Sequence, residues 1–383
     1  MKEEALKLHE NGKISIASRV ELNDRKDLSL AYSPGVAFPC LEIKDNKELA
    51  YKYTSKGHMI LIISDGTAVL GLGDIGPQAA MPVLEGKALL FKKFANIDCF
   101  PICLDTKDVD LIVQTIKIIA PSCGAIVLED ISAPRCVEIE RRLKKELDIP
   151  VFHDDQHGTA IVVGAALLNA SKLIKKPLSQ MRVVMSGTGA AGSSTMRLIK
   201  ELGVKEINAY NANGVVDRSK YDVYNFLIKE LLDEGIITTP LHHDNTLASI
   251  MKGADVFIGL SASGIVNEEM VKSMAKDAIV FTLANPTPEI MPDLALNAGA
   301  RIVGTGRSDF PNQINNVLAF PGVFKGALEC RAKQITDKMK ITAAHAIASV
   351  IKDDELRDDY IIPNAFDMRV VEAVSNAILK ENK

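Results

Sequence analysis

The sequence predicts an α/β protein of two domains, the second a Rossmann-type doubly wound sheet. Three observations carry this. Short apolar runs alternate with amphipathic stretches along nearly the whole chain, the pattern of mostly parallel sheets covered by helices. Acidic pairs close two successive runs, AIVLED and IPVFHDD, where open α/β sheets place their chemistry. A glycine turn, GTGAAG, follows a third run, MRVVMS, and opens a helix-like stretch.

Taken in order, residues 1 to about 25 read as a polar helix, a break at Gly12 and a short connector, ISIASRVELND. AYSPGVAFPC (31–40) reads as a loop, because Pro34-Gly35 and Pro39 disfavour regular structure. HMILIIS (58–64) is a buried strand that runs into a glycine-rich turn carrying Asp65 and Asp74. MPVLEGKALLFKKFA (81–95) has helical apolar spacing, with Lys87 one turn in from Val83. Strand DCFPICLD, helix VDLIVQTIKIIA, strand AIVLED, helix RCVEIERRLKKEL and strand IPVF follow.

VFHDDQHGTA (151–160) is the pivot of the chain: a strand end, a burst of ionisable residues, then a small-residue run that reads as a close-packed helix. We place the domain boundary at 155–160, giving domains of 1–156 and 157–383, with the stretch 155–180 as the hinge. Beyond it, MRVVMS, INAYN, ADVFIGLSA (254–262), AIVFTLANPTPE (278–289) and ARIVGTG (300–306) read as strands, and the chain from about Val323 as helices. No internal repeat or low-complexity tract interrupts them.

A net charge of −4 without a charge block argues against nucleic acid or an anionic membrane as partner, and the absence of Trp removes the usual stacking platform. The six cysteines are scattered without metal-ligand spacing, as expected of free thiols in a reducing compartment. The polar start lacks a signal-peptide core, and no apolar run reads as membrane-spanning. A cytoplasmic protein is expected.

Four motifs carry chemistry. In GTGAAG (187–192), Gly187 allows a tight turn, Gly189 lets backbone approach a pyrophosphate, and Gly192 lets helix and strand pack closely. The helix start, with Thr188, Ala190 and Ala191, offers N–H groups to phosphates, so a dinucleotide is expected. About twenty residues on, where an acid would grip the ribose, stands Asn211, with Arg218 the nearest cation. NAD or NADP are both admissible, with NAD favoured. The second motif is Glu129-Asp130 and Asp154-Asp155. Single acids there would cap helices, but two pairs at successive strand ends repel unless a cation intervenes, and oxygen donors suit Mg²⁺ or Mn²⁺. Third, Lys87 either snorkels to solvent or, facing a closed cleft, loses its proton readily and serves as a base. Fourth, Asn285 in LANPTPE and Asn315-Asn316 in NQINNVLAFPG serve either as turn residues or as amides that bind a carboxylate. His153 and His157 read as helix-start or supporting residues rather than ligands, and Tyr32, in a Pro/Gly loop, equally as a packing or a functional residue.

AYSPGVA, SDGTAVLGLGDIG, EGKALLF, LEDI, FHDDQHGTA, GTGAAG, LANPTPE and NNVLAFPG, in that order, resemble the malic enzyme family in its short prokaryotic form. The resemblance implies metal-dependent oxidative decarboxylation of L-malate to pyruvate and CO₂ with reduction of NAD or NADP, carried out by a homodimer. It implies Glu129, Asp130 and Asp155 as metal ligands, Lys87 as the base and Tyr32 as the acid that protonates the enol. Asp154 then assists Lys87, and Asn285, Asn315 and Asn316 contact the substrate carboxylates, with Asn285 also near the cofactor.

Three departures from the family pattern stand out: Ala68 replaces a substrate-clamping Arg, Asn211 replaces the Asp of NAD-preferring members, and His153 and Gln156-His157 replace an NDDIQ form. Two rival readings remain: a malolactic enzyme, which releases lactate without net cofactor reduction, and a non-catalytic dinucleotide sensor.

Overall fold

The computed structural model describes residues 2–69, 71–240 and 242–382. Among these residues the strands form two sheets. The first contains β1 (Met59–Ser64), β2 (Asp98–Cys103), β3 (Ala125–Leu128) and β4 (Val151–His153), all parallel and ordered β2-β1-β3-β4. β1 and β3 are runs of aliphatic residues buried on both faces, so helices must cover both sides. The crossovers Pro77–Ala95, Val109–Ile119 and Arg135–Glu146 do so. Register positions the chemistry: Leu128 pairs with His153, so the next residues, Glu129 and Asp154, emerge side by side at the carboxyl edge.

The second sheet contains β5 (Arg182–Ser186), β6 (Glu206–Asn211), β7 (Gly214–Val215), β8 (Val256–Gly259), β9 (Ile279–Thr282) and β10 (Ile302–Thr305), ordered β10-β9-β8-β5-β6-β7. Only β7 is antiparallel; at two residues it shows no periodicity and went unread in the sequence. The order reverses at β5, which makes the carboxyl end of β5 the crevice where such sheets bind ligands.

The Asp154–Ile174 helix starts directly after β4, but its body packs on the Ala190–Glu201 and Asp337–Ala348 helices behind the second sheet. Small residues allow this: a Cβ at Gly164 would lie 2.4 Å from Leu198. This corrects the expectation that no apolar run reaches membrane-spanning length, because the helix qualifies by length and composition; 61% of that window is buried within the fold, as in a core helix. At the back of the cleft the two units meet through aromatic rings. Phe91 of the Pro77–Ala95 helix lies 4.6 Å from Phe320 and 5.5 Å from Phe324, both on the Phe320–Glu329 helix.

One N-terminal expectation is met and one is corrected. A helix covers Lys2–His9, the chain breaks at Gly12 (φ +77°), and a connector without helix leads to Arg25–Ala31. The stretch expected to be a loop contains most of the start of a helix, Ala37–Asp45, with Pro39 in its first turn. First-turn N–H groups have no intrahelical partner, so a proline there forfeits nothing. The six cysteines are free, as expected.

Candidate active site

A cleft of about 570 Å³ lies between the carboxyl edges of the two sheets. Lys87, Glu129, Asp130, His153 and Asp155 line it from the first, and Ala190, Ala191, Ser261, Asn285, Asn315 and Asn316 from the second. One oxygen each from Glu129, Asp130 and Asp155 lies within 4.8 Å of the others. Asp130 adopts φ +53°, uncommon for a residue with a side chain, and its N–H donates to Asp155 Oδ2 at 2.9 Å. Glu129 Oε2 is buried with no hydrogen-bond donor. Burial, then the Asp155 charge, raises the Glu129 carboxyl well above its usual range. Three converging carboxylates with an orphaned buried oxygen fit a hard divalent cation held by oxygen donors.

Lys87 faces this cluster rather than solvent, which corrects the snorkelling alternative. It is 8% exposed, donates to Glu129 Oε1 and to Asp154 Oδ2 at 2.5 Å, and lies 5.1 Å from the Phe320 ring centre. Burial alone would lower its pKa, as expected of a base in a closed cleft. The Asp154 and Glu129 carboxylates outweigh burial and hold Lys87 above its usual range. Asp154 Oδ2 also accepts from Asn316 Nδ2 at 2.6 Å, and burial pushes the Asp154 carboxyl up to about 6. Its other oxygen, Oδ1, has no partner and lies where a Cβ at residue 158 would come within 2.0 Å. Glycine at 158 is what leaves room for Asp154.

The other end of the cleft is the glycine turn. Gly187 has φ +107°, and a Cβ there would meet Leu260 O at 2.3 Å; a Cβ at Gly192 would meet Gly187 O at 2.0 Å. These two glycines are required by the fold. Around Gly189 there is open space, which leaves its backbone open to an approaching ligand. The Ala190–Glu201 helix begins without a side-chain cap, which leaves its first N–H groups to a phosphate. Asn211 is tied down: its Nδ2 donates to Thr188 Oγ1 at 3.2 Å and its Oδ1 accepts from Asn213 N at 2.8 Å. Arg218 turns away to Asp233 and the Leu232 carbonyl.

Asn315 accepts from Val317 N at 2.9 Å through its carbonyl, which leaves the amide nitrogen free to donate. Asn285 is packed by the first domain's glycine-rich turn, where a Cβ at Gly71 would lie 2.1 Å from its carbonyl oxygen. Ala68 lines the cleft as expected, and among the lining residues only Lys87 and His153 are basic. Tyr32 does not join them: it ends the Arg25–Ala31 helix, is 69% exposed and is absent from the cleft wall.

Three supporting groups went unread in the sequence. Asp65 and Thr67 take up Arg135 Nη2 at 2.8 and 2.9 Å, fixing the turn after β1. Glu289 is buried beside the ends of β8 and β9. Glu140, buried on the Arg135–Glu146 helix, accepts from His153 N (3.1 Å), His157 Nε2 (2.9 Å) and Lys144 Nζ (2.8 Å). Burial works against the Glu140 charge, yet His157 and Lys144 hold it well below the usual carboxylate range. Burial also lowers His157, to about 3, so its imidazole serves as an N–H donor and Lys144 supplies the charge. Each partner comes from a different turn or element, so no local motif announces the group. A second cleft, about 480 Å³, lies beside His157 and Lys340, and its Arg197, Lys338 and Lys340 are already paired with carboxylates.

The chain matches two family models, the malic enzyme N-terminal domain over residues 11–144 and the malic enzyme NAD binding domain over 156–382. It is 53% identical over 382 residues to a bifunctional malic/malolactic enzyme of Bacillus subtilis, covering 99% of this chain and 92% of that protein. It is also 53% identical to an NAD-dependent malic enzyme of Geobacillus stearothermophilus, covering 97% of this chain and 77% of that protein. The crystal structure of an NAD-dependent malic enzyme from Thermotoga maritima superposes with a TM-score of 0.93 at 47% identity, covering 98% of each chain. The chain belongs to the malic enzyme family, whose members use NAD or NADP.

Proposed function

We propose that this chain catalyses the oxidative decarboxylation of L-malate to pyruvate and CO₂, using a divalent cation and NAD. The observation that carries the reading is one continuous cleft joining an uncapped helix start at Ala190-Ala191 to Lys87 and three converging carboxylates. Glu129, Asp130 and Asp155 would hold Mg²⁺ or Mn²⁺, which supplies polarisation of the substrate hydroxyl and stabilises enolate charge. Lys87 is the base that takes the hydroxyl proton, and Asp154, its neighbour at 2.5 Å, assists it. Asn315 and Asn316 orient the substrate carboxylates, with Asn285 between substrate and nicotinamide. The tied-down Asn211 and the averted Arg218 favour NAD, since neither offers a charge to a ribose phosphate.

Tyr32 is the enol-protonating acid of this reading and would be delivered by a second copy. Its surroundings support that: Leu22, Leu28, Leu30 and Phe38 are 61%, 49%, 66% and 71% exposed, an apolar face that a homodimer would cover. The domain division at 156/157 is part of the proposal and is supported by the two family models, of which the first ends at residue 144 and the second begins at 156.

The test is absorbance of reduced nicotinamide with L-malate and Mn²⁺, run with NAD and with NADP. A signal with NAD that a chelator abolishes is expected. A second reading, malolactic activity, is favoured by the bifunctional relative and would appear as lactate with no net absorbance change. Neither product would reduce the protein to a dinucleotide-binding module.

A further inference from the structure

Glu289 closes the LANPTPE stretch, is 0% exposed, and among the described residues has no cationic partner. Its acceptors are spent on backbone. Oε1 accepts from Ser261 N at 2.9 Å and from Ser261 Oγ at 3.4 Å; Oε2 accepts from Ala284 N at 3.1 Å. Ser261 lies just past the end of β8 and Ala284 just past the end of β9, where parallel ladders run out and N–H groups must find another acceptor. A Cβ at Gly259, the last residue of β8, would lie 2.3 Å from Glu289 Cδ, so the glycine makes the space that the carboxylate fills. Two further bonds fix the stretch: Val266 N donates to Glu289 O at 3.1 Å, and Thr282 Oγ1 donates to Ile290 O at 3.1 Å.

The two segments that Glu289 joins are walls of the cleft. Leu260, Ser261, Leu283, Ala284 and Asn285 line it together with Ala190-Ala191 and Lys87. Hydride transfer needs the nicotinamide ring in contact with the substrate carbon. With the pyrophosphate at the helix start and the alcohol at Lys87, these five residues are the ones that would hold the ring.

We propose that Glu289 is a positioning residue that clamps the segments after β8 and β9 and so sets the width of the nicotinamide pocket and the placement of Asn285. A water molecule could satisfy the same N–H groups singly, but only a carboxylate ties both to one rigid group and keeps that water out. The proposal rests on the reading of this cleft as a hydride-transfer site.

The test compares Glu289→Gln and Glu289→Ala with the unaltered protein. It measures binding of ADP-ribose, which lacks nicotinamide, binding of NADH by fluorescence, and kcat and KM for malate. Glu289→Ala is expected to leave ADP-ribose affinity within about twofold while weakening NADH binding and kcat/KM about tenfold or more, the scale of losing hydrogen bonds to a charged group. Glu289→Gln, which keeps one strong acceptor, should fall between. Should the Ala variant not fold, Gln carries the comparison alone. Equal losses for ADP-ribose and NADH, or NADH binding and kinetics unchanged in a folded variant, would overturn the clamp. An unaltered protein that binds neither nucleotide would overturn the hydride-transfer reading itself, and the clamp with it.

Discussion

The Nζ of Lys87 lies 2.5 Å from Oδ2 of Asp154, which joins the crossover helix of one sheet to the first turn of the helix that packs on the other. The contact is buried on both sides, at 8% and 0% side-chain exposure. The pair thus fixes the amine at the cleft wall, away from solvent.

Lys87→Ala should therefore lower kcat by about 10²–10⁴-fold, the usual contribution of a positioned base, while NADH binding survives. Steady-state kinetics with a parallel NADH titration checks this. Turnover within a few-fold of the unaltered protein would remove Lys87 from the base role.

Gly158→Ala separates propensity from geometry. In an ordinary helix interior the change would stabilise by about 1 kcal/mol. Here the new Cβ would meet Asp154 Oδ1 at 2.0 Å. We expect a loss of about 1–3 kcal/mol, as for other overpacked sites, together with a fall in kcat. A raised melting temperature with full activity would mean that the Asp154 rotamer is not required.

Much of this was legible because it is local. The β-branched runs of β1 and β3 and the acids directly after β3 and β4 lie within a few residues of one another, and strand register does the rest. The GTGAAG turn likewise contains its own reason. The direction of Lys87 was not legible, since helical spacing alone cannot say whether a lysine beside apolar residues meets solvent or a cleft. That is decided by Asp154, 67 residues away, and by the Phe320 ring. Glu140 was hidden for the same reason, since its partners come from different turns and elements, and Glu289 because the backbone groups it binds leave no mark in the side-chain pattern. Pro39 was misread because a proline signals a break only where an N–H is needed.

Glu140 gives the fold an acid limb. Its carboxyl is held well below the usual range, so the unfolded chain takes up this proton first as pH falls. Its contribution is fully present above the unfolded value, near 4.5, and each pH unit below that removes up to about 1.4 kcal/mol. Glu129 and Asp154, raised by burial, act in the opposite sense, so a single stability curve mixes the effects. Glu140→Gln isolates the term, because it keeps an acceptor for His153 N–H but does not titrate there. Denaturant unfolding from pH 7 to pH 3 should show the variant less stable at neutral pH and less sensitive to acid. Parallel curves for the two proteins would remove Glu140 from the acid limb.

Tyr32 yields the sharpest test of assembly. The residue is 69% exposed and outside the cleft wall of its own chain, while Lys87 is buried in it. If each site takes Lys87 from one copy and Tyr32 from the other, then Lys87→Ala and Tyr32→Phe chains, each inactive alone, complement when mixed. A mixed dimer holds one site with both defects and one with neither. Random pairing makes about half the dimers mixed, so about a quarter of the sites regain activity. The mixture should recover that fraction slowly, at the rate of subunit exchange. Both residues acting within one chain predicts no recovery at any mixing ratio, because every site would then carry one defect.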